Sequence, residues 1–140
     1  LLITPAVSAA SIPTETEDNG TSVTADVIDK GQIRGSLSTK DDIDYYKFTA
    51  DKDFFELNFT ISDINLSADV RDGWIVTIYN QDMVELLSYN TKNSFSTPRM
   101  PISGTIYIKV EADYKNIYYF RLIVFLIIIL RIWLYRSDAK

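Results

Sequence analysis

The chain has 140 residues, enough for one domain with a real core, and 46% hydrophobic with 13% aromatic content excludes general disorder. A formal net charge of -5 and a pI near 4.6 leave no basic stripe to neutralise phosphates, which excludes nucleic acid as a partner. Without histidine or cysteine there is no His-based zinc site, Ser-His-Asp triad, thiol nucleophile or disulfide, so only carboxylate, Lys, Tyr or Ser/Thr chemistry remains.

Residues 1–11 (LLITPAVSAAS) read as the end of a secretory signal peptide. An apolar run is followed by small residues at Val7-Ser8-Ala9 or Ser8-Ala9-Ala10 that suit a cleavage site, which predicts a secreted, extracellular protein. Residues 12–21 are polar and acidic, contain Pro13 and lack an apolar period, so they are expected to be an extended linker. Residues 22–28 alternate weakly up to the break at Asp29-Lys30-Gly31, and Gln32–Leu37 is a short strand with Ile33 and Gly35 on one face.

Next comes Asp41-Asp42-Ile43-Asp44, an acidic turn that runs into the strand Tyr45-Tyr46-Lys47-Phe48-Thr49. Tyr46 and Phe48 share one face of that strand and Tyr45 and Lys47 the other. Asp51-Lys52-Asp53 has the chemistry of a hairpin turn. Beyond it Phe55, Leu57, Phe59 and Ile61 alternate with polar or outward residues, the clearest period of two in the chain. Residues 62–73 read as a polar loop, Trp74–Tyr79 as a central strand apolar on both faces, 83–88 as a short strand and 89–101 as a loop closed by two prolines.

Residues 105–112 point Ile106, Ile108 and Val110 inward, with Tyr107, Lys109 and Glu111 outward, and 118–124 form the last strand. Seven or eight short strands with no helical period predict an all-β, jelly-roll-like antiparallel sandwich over residues 22–125. Residues 126–140 are an apolar and basic tail. A spanning helix over 117–135 would have to bury both Arg121 and Arg131, which is costly, so an altered chain end is the preferred reading. The tail is the one segment suited to membrane contact, and a membrane-anchored surface protein is the alternative function.

Two acidic clusters, Glu15-Thr16-Glu17-Asp18-Asn19 and the turn at 41–44, raise the question of a hard cation, because carboxylate and carbonyl oxygens are the ligands such ions prefer. Each by itself also reads as an ordinary solvated loop. Paired carboxylates are the machinery of glycosidases as well. Here, though, an open turn offers Asp41 and Asp44 nothing to raise one pKa selectively, and no catalysis is expected. Three Asn-x-Ser/Thr sequons, at Asn19, Asn58 and Asn65, read as chance occurrences.

The order of motifs resembles the bacterial pre-peptidase C-terminal domain. Glu15-x-Glu17-x-Asn19, Gly35-Ser36-Leu37 and Asp41-Asp42-x-Asp44-Tyr45-Tyr46-x-Phe48 carry the likeness. So do Val76-x-Ile78-Tyr79-Asn80 and the run from Gly104 to Val110, and the likeness covers roughly residues 14–125. It implies a non-catalytic module that accompanies secreted peptidases and other hydrolases and helps substrate engagement, folding or export, related to the collagen-binding domains of clostridial collagenases. By the same likeness calcium would be held by Glu15, Glu17, Asn19, Asp41 and Asp44, with Ser36 as a further donor. Alternate residues of an extended linker share a face, in agreement with that set, while Asp42 is expected to face solvent. Gly20 stands where relatives often carry another polar ligand, which argues against a second ion. Strand tyrosines form the binding surface of the collagen-binding relatives, and Tyr79 and Tyr107 are the candidates here, with Tyr45 and Tyr89 as further exposed aromatics. The partner implied is an extracellular protein or polysaccharide polymer.

Overall fold

The period of two that marks the sequence is realised as nine strands in a computed structural model, which describes residues 11–39, 41–51, 53–61, 73–91, 93–112 and 118–126. The strands are β1 (Asp26–Val27), β2 (Gln32–Leu37), β3 (Ile43–Ala50), β4 (Phe55–Ile61) and β5 (Trp74–Tyr79), followed by β6 (Glu85–Thr91), β7 (Phe95–Ser96), β8 (Gly104–Ala112) and β9 (Tyr118–Leu126). They form two sheets, β1-β3-β8-β5-β6 and β2-β9-β4-β7. The predicted β-sandwich stands, with one departure from antiparallel pairing: β1 runs parallel to β3.

Inward positions fill the space between the sheets. Tyr46, Phe48 and Ala50 of β3, Val76 and Ile78 of β5, and Ile106, Ile108 and Val110 of β8 face Ile33 and Leu37 of β2 and Phe55, Leu57 and Phe59 of β4. Aromatic edges cross the interface: Phe48 meets Phe55 at 5.2 Å and 77°, and Phe59 meets Trp74 at 5.6 Å and 65°.

Three expectations are corrected. Asp51-Lys52-Asp53 does not close a hairpin, because β3 and β4 lie in different sheets and the chain crosses between layers there. Polar turn chemistry does not distinguish a hairpin from an arch. The loop expected over 89–101 is largely ordered: β6 continues to Thr91, whose register partner is Trp74, and β7 pairs with β4. Backbone pairing supplies there what side-chain propensity does not. Of residues 22–28 only Asp26 and Val27 are strand.

Strand β9 lies between β2 and β4, so residues that would begin an anchor helix are a central strand. Among the described residues no helix is long and apolar enough to cross a membrane. The signal-like residues 1–10, the loop 62–72 and the tail 127–140 lie outside the described residues.

The acidic linker is part of the sandwich rather than a tether. Thr14 forms a parallel bridge with Arg34, the Arg34 N–H donates to Pro13 O at 2.8 Å, and the Glu15 N–H donates to Arg34 O at 2.8 Å. At its other end the Tyr45 N–H donates to Asn19 O at 2.9 Å. The segment therefore straps the edge of one sheet, at β2, to the start of β3 in the other. The approach favours glycine at position 20, since a Cβ there would sit a tight 3.3 Å from Ile43 O.

Candidate cation site

The strap delivers Glu15, Glu17 and Asn19 to the mouth of the sandwich, where β3 begins with Asp44 and Tyr46 pointing inward. Carboxylate oxygens of Glu17, Asp42 and Asp44 all lie within 4.8 Å of one another. Two ligands of one calcium ion at 2.3–2.6 Å are at most about 5 Å apart, so these three carboxylates are close enough to share one. Asp42, expected to face solvent, belongs to the group, and Asp41, expected to be a ligand, is exposed and does not. The reason is parity. Asp44, Tyr46 and Phe48 are alternate residues of β3 and Asp42 stands two residues before Asp44 at its entrance, whereas Asp41 lies in the exposed turn that the Asp42 N–H closes on Thr39 O at 3.2 Å.

Each remaining residue has a defined task. Glu15 Oε1 accepts from the Ser36 N–H at 2.5 Å and from the Ser36 hydroxyl at 3.2 Å, and its Oε2 accepts from the Tyr46 hydroxyl and from Asn19 Nδ2 at 3.5 Å. Glu15 and Ser36 thus fasten the strap to β2 and β3. Asp42 Oδ2 accepts from the Ser38 N–H at 2.6 Å and hydroxyl at 2.8 Å, which shapes the turn. Asn19 Nδ2 also lies 3.3 Å from Asp26 Oδ2, which accepts the Thr16 N–H at 2.7 Å.

Among the described residues, two buried oxygens have no protein donor. Asp44 is 0% exposed and Asn19 1% exposed, yet Asp44 Oδ1 and Asn19 Oδ1 are without a hydrogen-bond partner. A buried acceptor left unmade costs roughly 1–3 kcal/mol, and more when it is charged. When Asp44 is ionised both oxygens are acceptors only, and a cation or a donor from outside the chain is what satisfies them.

The electrostatics carry the same message. Burial, then repulsion from Glu15, Asp42 and Glu17, pushes the Asp44 carboxyl up to about 8 against the stabilising Tyr46 hydroxyl 3.3 Å away. Glu17 is also raised, first by desolvation and then by Asp42, Glu15, Asp18 and Asp26. The Tyr46 phenol is pushed above its ordinary range by burial and by Asp44 and Glu15. It has one proton for two neighbouring carboxylates. The expectation that nothing raises a carboxyl pKa here is therefore corrected. Even so, Asp44 has no exposed surface with which to touch a substrate.

A pH dependence follows. With chelator present, the folded chain holds a proton on Asp44 that the unfolded chain loses near pH 4. Stability is then greatest below about pH 4 as far as this group is concerned, and is lost as pH climbs towards about 8. Melting midpoints in EGTA will fall over that interval, and Asp44→Asn will flatten the slope.

The outward face of β3, β8 and β5 presents Tyr45 and Lys47, Tyr107, Lys109 and Glu111, and Tyr79. Tyr45 pairs with Lys109 across β3 and β8, and Tyr107 stands between Lys47 and Tyr79. Lys109 forms an ion pair with Glu111 at 2.7 Å. Tyr89 does not join this face: it stacks on Phe95 at 4.2 Å, between the two sheets. Its register partner, Val76, is a core position, and that parity decides its side.

Fold and site together define an all-β sandwich with an acidic, partly buried cluster able to hold a metal ion. No family model matches the sequence, and no curated protein matches it either. Among solved structures it is similar to PliG of Aeromonas hydrophila, a periplasmic lysozyme inhibitor of g-type lysozyme. The identity is 16%, the TM-score 0.46, and the match covers 66% of this chain and 82% of that one.

Proposed function

We propose that this chain is a non-catalytic, secreted accessory module of the pre-peptidase C-terminal type, stabilised by calcium, that helps an extracellular hydrolase engage substrate, fold or be exported. The observation that carries the reading is the buried acceptor Asp44 Oδ1, without a donor among the described residues and grouped with the carboxylates of Glu17 and Asp42, together with the equally unpartnered Asn19 Oδ1 on the strap. An all-oxygen donor set of carboxylates and an amide suits calcium, which takes six to eight oxygens in flexible geometry. Magnesium, which keeps several waters and demands a near-ideal octahedron, suits it less. The ligands are Glu17, Asn19, Asp42 and Asp44, and Glu15 positions them through Ser36 and Tyr46. An ion there joins strap, turn and β3, because its ligands come from all three.

Terbium provides the direct test, since Tyr46 is close enough to Asp44 to sensitise its emission. Tyrosine-excited terbium luminescence, displaced by calcium and lost in Asp44→Asn, is the expected result. Absence of sensitised emission from the folded protein overturns the reading.

The tyrosine face is the surface we assign to the polymer. Tyr offers large rigid area with a polar tip, and Lys47 and Lys109 add donors between the rings. In co-sedimentation with insoluble fibrillar collagen, Tyr79→Ala and Tyr107→Ala will each weaken binding by about tenfold, as truncated interface anchors do. Calcium-dependent melting will be unchanged in both. Equal pelleting of both variants and wild type removes the face from the proposal.

A further inference from the structure

The residue that closes the strap is also the first half of an Asn-Gly dipeptide, Asn19-Gly20. Glycine leaves its own backbone nitrogen the least hindered route to the preceding side-chain carbonyl. In the folded state that route is closed. The Asn19 side chain is buried, with Nδ2 near Glu15 and Asp26, its backbone carbonyl accepts from Tyr45, and Gly20 abuts Ile43 O. Five carboxylates, those of Glu15, Glu17, Asp26, Asp42 and Asp44, surround this part of the strap or its anchor points. Without a counter-ion their mutual repulsion favours lifting the strap off β2 and β3.

From this juxtaposition of a locked Asn-Gly bond and a strap held down against repulsion, we infer that Asn19 is a deamidation site whose rate is set by cation occupancy. The inference rests on the cation reading above. When the strap opens, the Gly20 nitrogen attacks Asn19 Cγ. A new N–C bond forms, the Cγ–Nδ2 bond breaks, and Nδ2, which already carries two hydrogens, leaves as ammonia with the proton released by Gly20. The succinimide then adds water and opens to aspartate or isoaspartate. No electron is gained or lost. The isoaspartyl product carries an extra backbone methylene and so displaces the carbonyl that Tyr45 uses; the strap cannot close again in register. A chain that loses its ion is thereby marked irreversibly.

The test is incubation of the full chain in mildly alkaline buffer with calcium or with EGTA, at a temperature below the melting midpoint in EGTA. Peptide mapping reads the one-dalton gain at Asn19, with the exposed Asn93 as an internal reference. The expected result is deamidation of Asn19 faster in EGTA by about tenfold, as the open population rises, and unchanged rates at Asn93. In Asp44→Asn the Asn19 rate will be the same in both buffers. Equal or faster modification of wild-type Asn19 with calcium overturns the inference, as does its absence in EGTA. If terbium luminescence has established the ion, such a result removes the deamidation control and leaves the cation site standing. If it has not, both fall.

Discussion

Saturating calcium will raise the melting midpoint of the wild-type chain, and Asp44→Asn will abolish that rise while increasing the midpoint measured in EGTA. The two signs have one cause. In the ion-free state Asp44 is a buried carboxyl repelled by Glu15, Asp42 and Glu17, so a neutral isostere relieves a penalty. In the bound state the same charge is a ligand, and the isostere loses it. Calcium at about 1,000 times its dissociation constant stabilises the fold by about 4 kcal/mol, which corresponds to roughly 10–15 °C for a domain of this size. Asp42→Asn will also reduce the response, whereas Asp41→Asn will leave it intact because Asp41 lies outside the group. Differential scanning fluorimetry of the four proteins checks this. A response lost in Asp41→Asn and kept in Asp42→Asn contradicts the geometry.

The largest loss without regard to calcium belongs to Phe59→Ala. Phe59 is fully buried, sits edge-on to Trp74 at 5.6 Å and stacks on Phe95 at 5.5 Å, and so joins three elements across both sheets. Truncating a buried phenylalanine costs about 3–5 kcal/mol through lost transfer energy and the cavity left behind. Against a total stability of about 5–15 kcal/mol, urea unfolding will move to a much lower midpoint or the chain will not fold. Thr49→Ala, at an exposed position of β3, will change stability by no more than about 0.5 kcal/mol.

Period-two alternation was enough to identify β2, β3, β4, β8 and β9, because a strand between two layers must segregate its side chains by face, while β5 was legible as a short run apolar on both faces. It was not enough for the second half of β6 or for β7. The strand read over 83–88 covers only the start of β6, Asn90 and Ser96 look like loop residues, and it is pairing with Trp74–Tyr79 and with β4 that makes strands of them. Parity also held an unused signal at the site. The spacing that grouped Glu15, Glu17 and Asn19 groups Asp42 with Asp44 as well, whereas the family likeness pointed to Asp41 instead.

The sequence by itself determined an all-β chain, its inward-facing residues and the two acidic segments, since each of these depends on local composition and on which side of a strand a residue falls. That the two segments meet was decided only by tertiary structure. Their meeting requires the strap to hydrogen-bond along β2 at Arg34 and reach β3 at Tyr45, contacts between residues distant in the chain that no local pattern encodes. The raised Asp44 carboxyl has the same origin, because burial and the approach of Glu15 and Glu17 exist only once the sheets have closed over it.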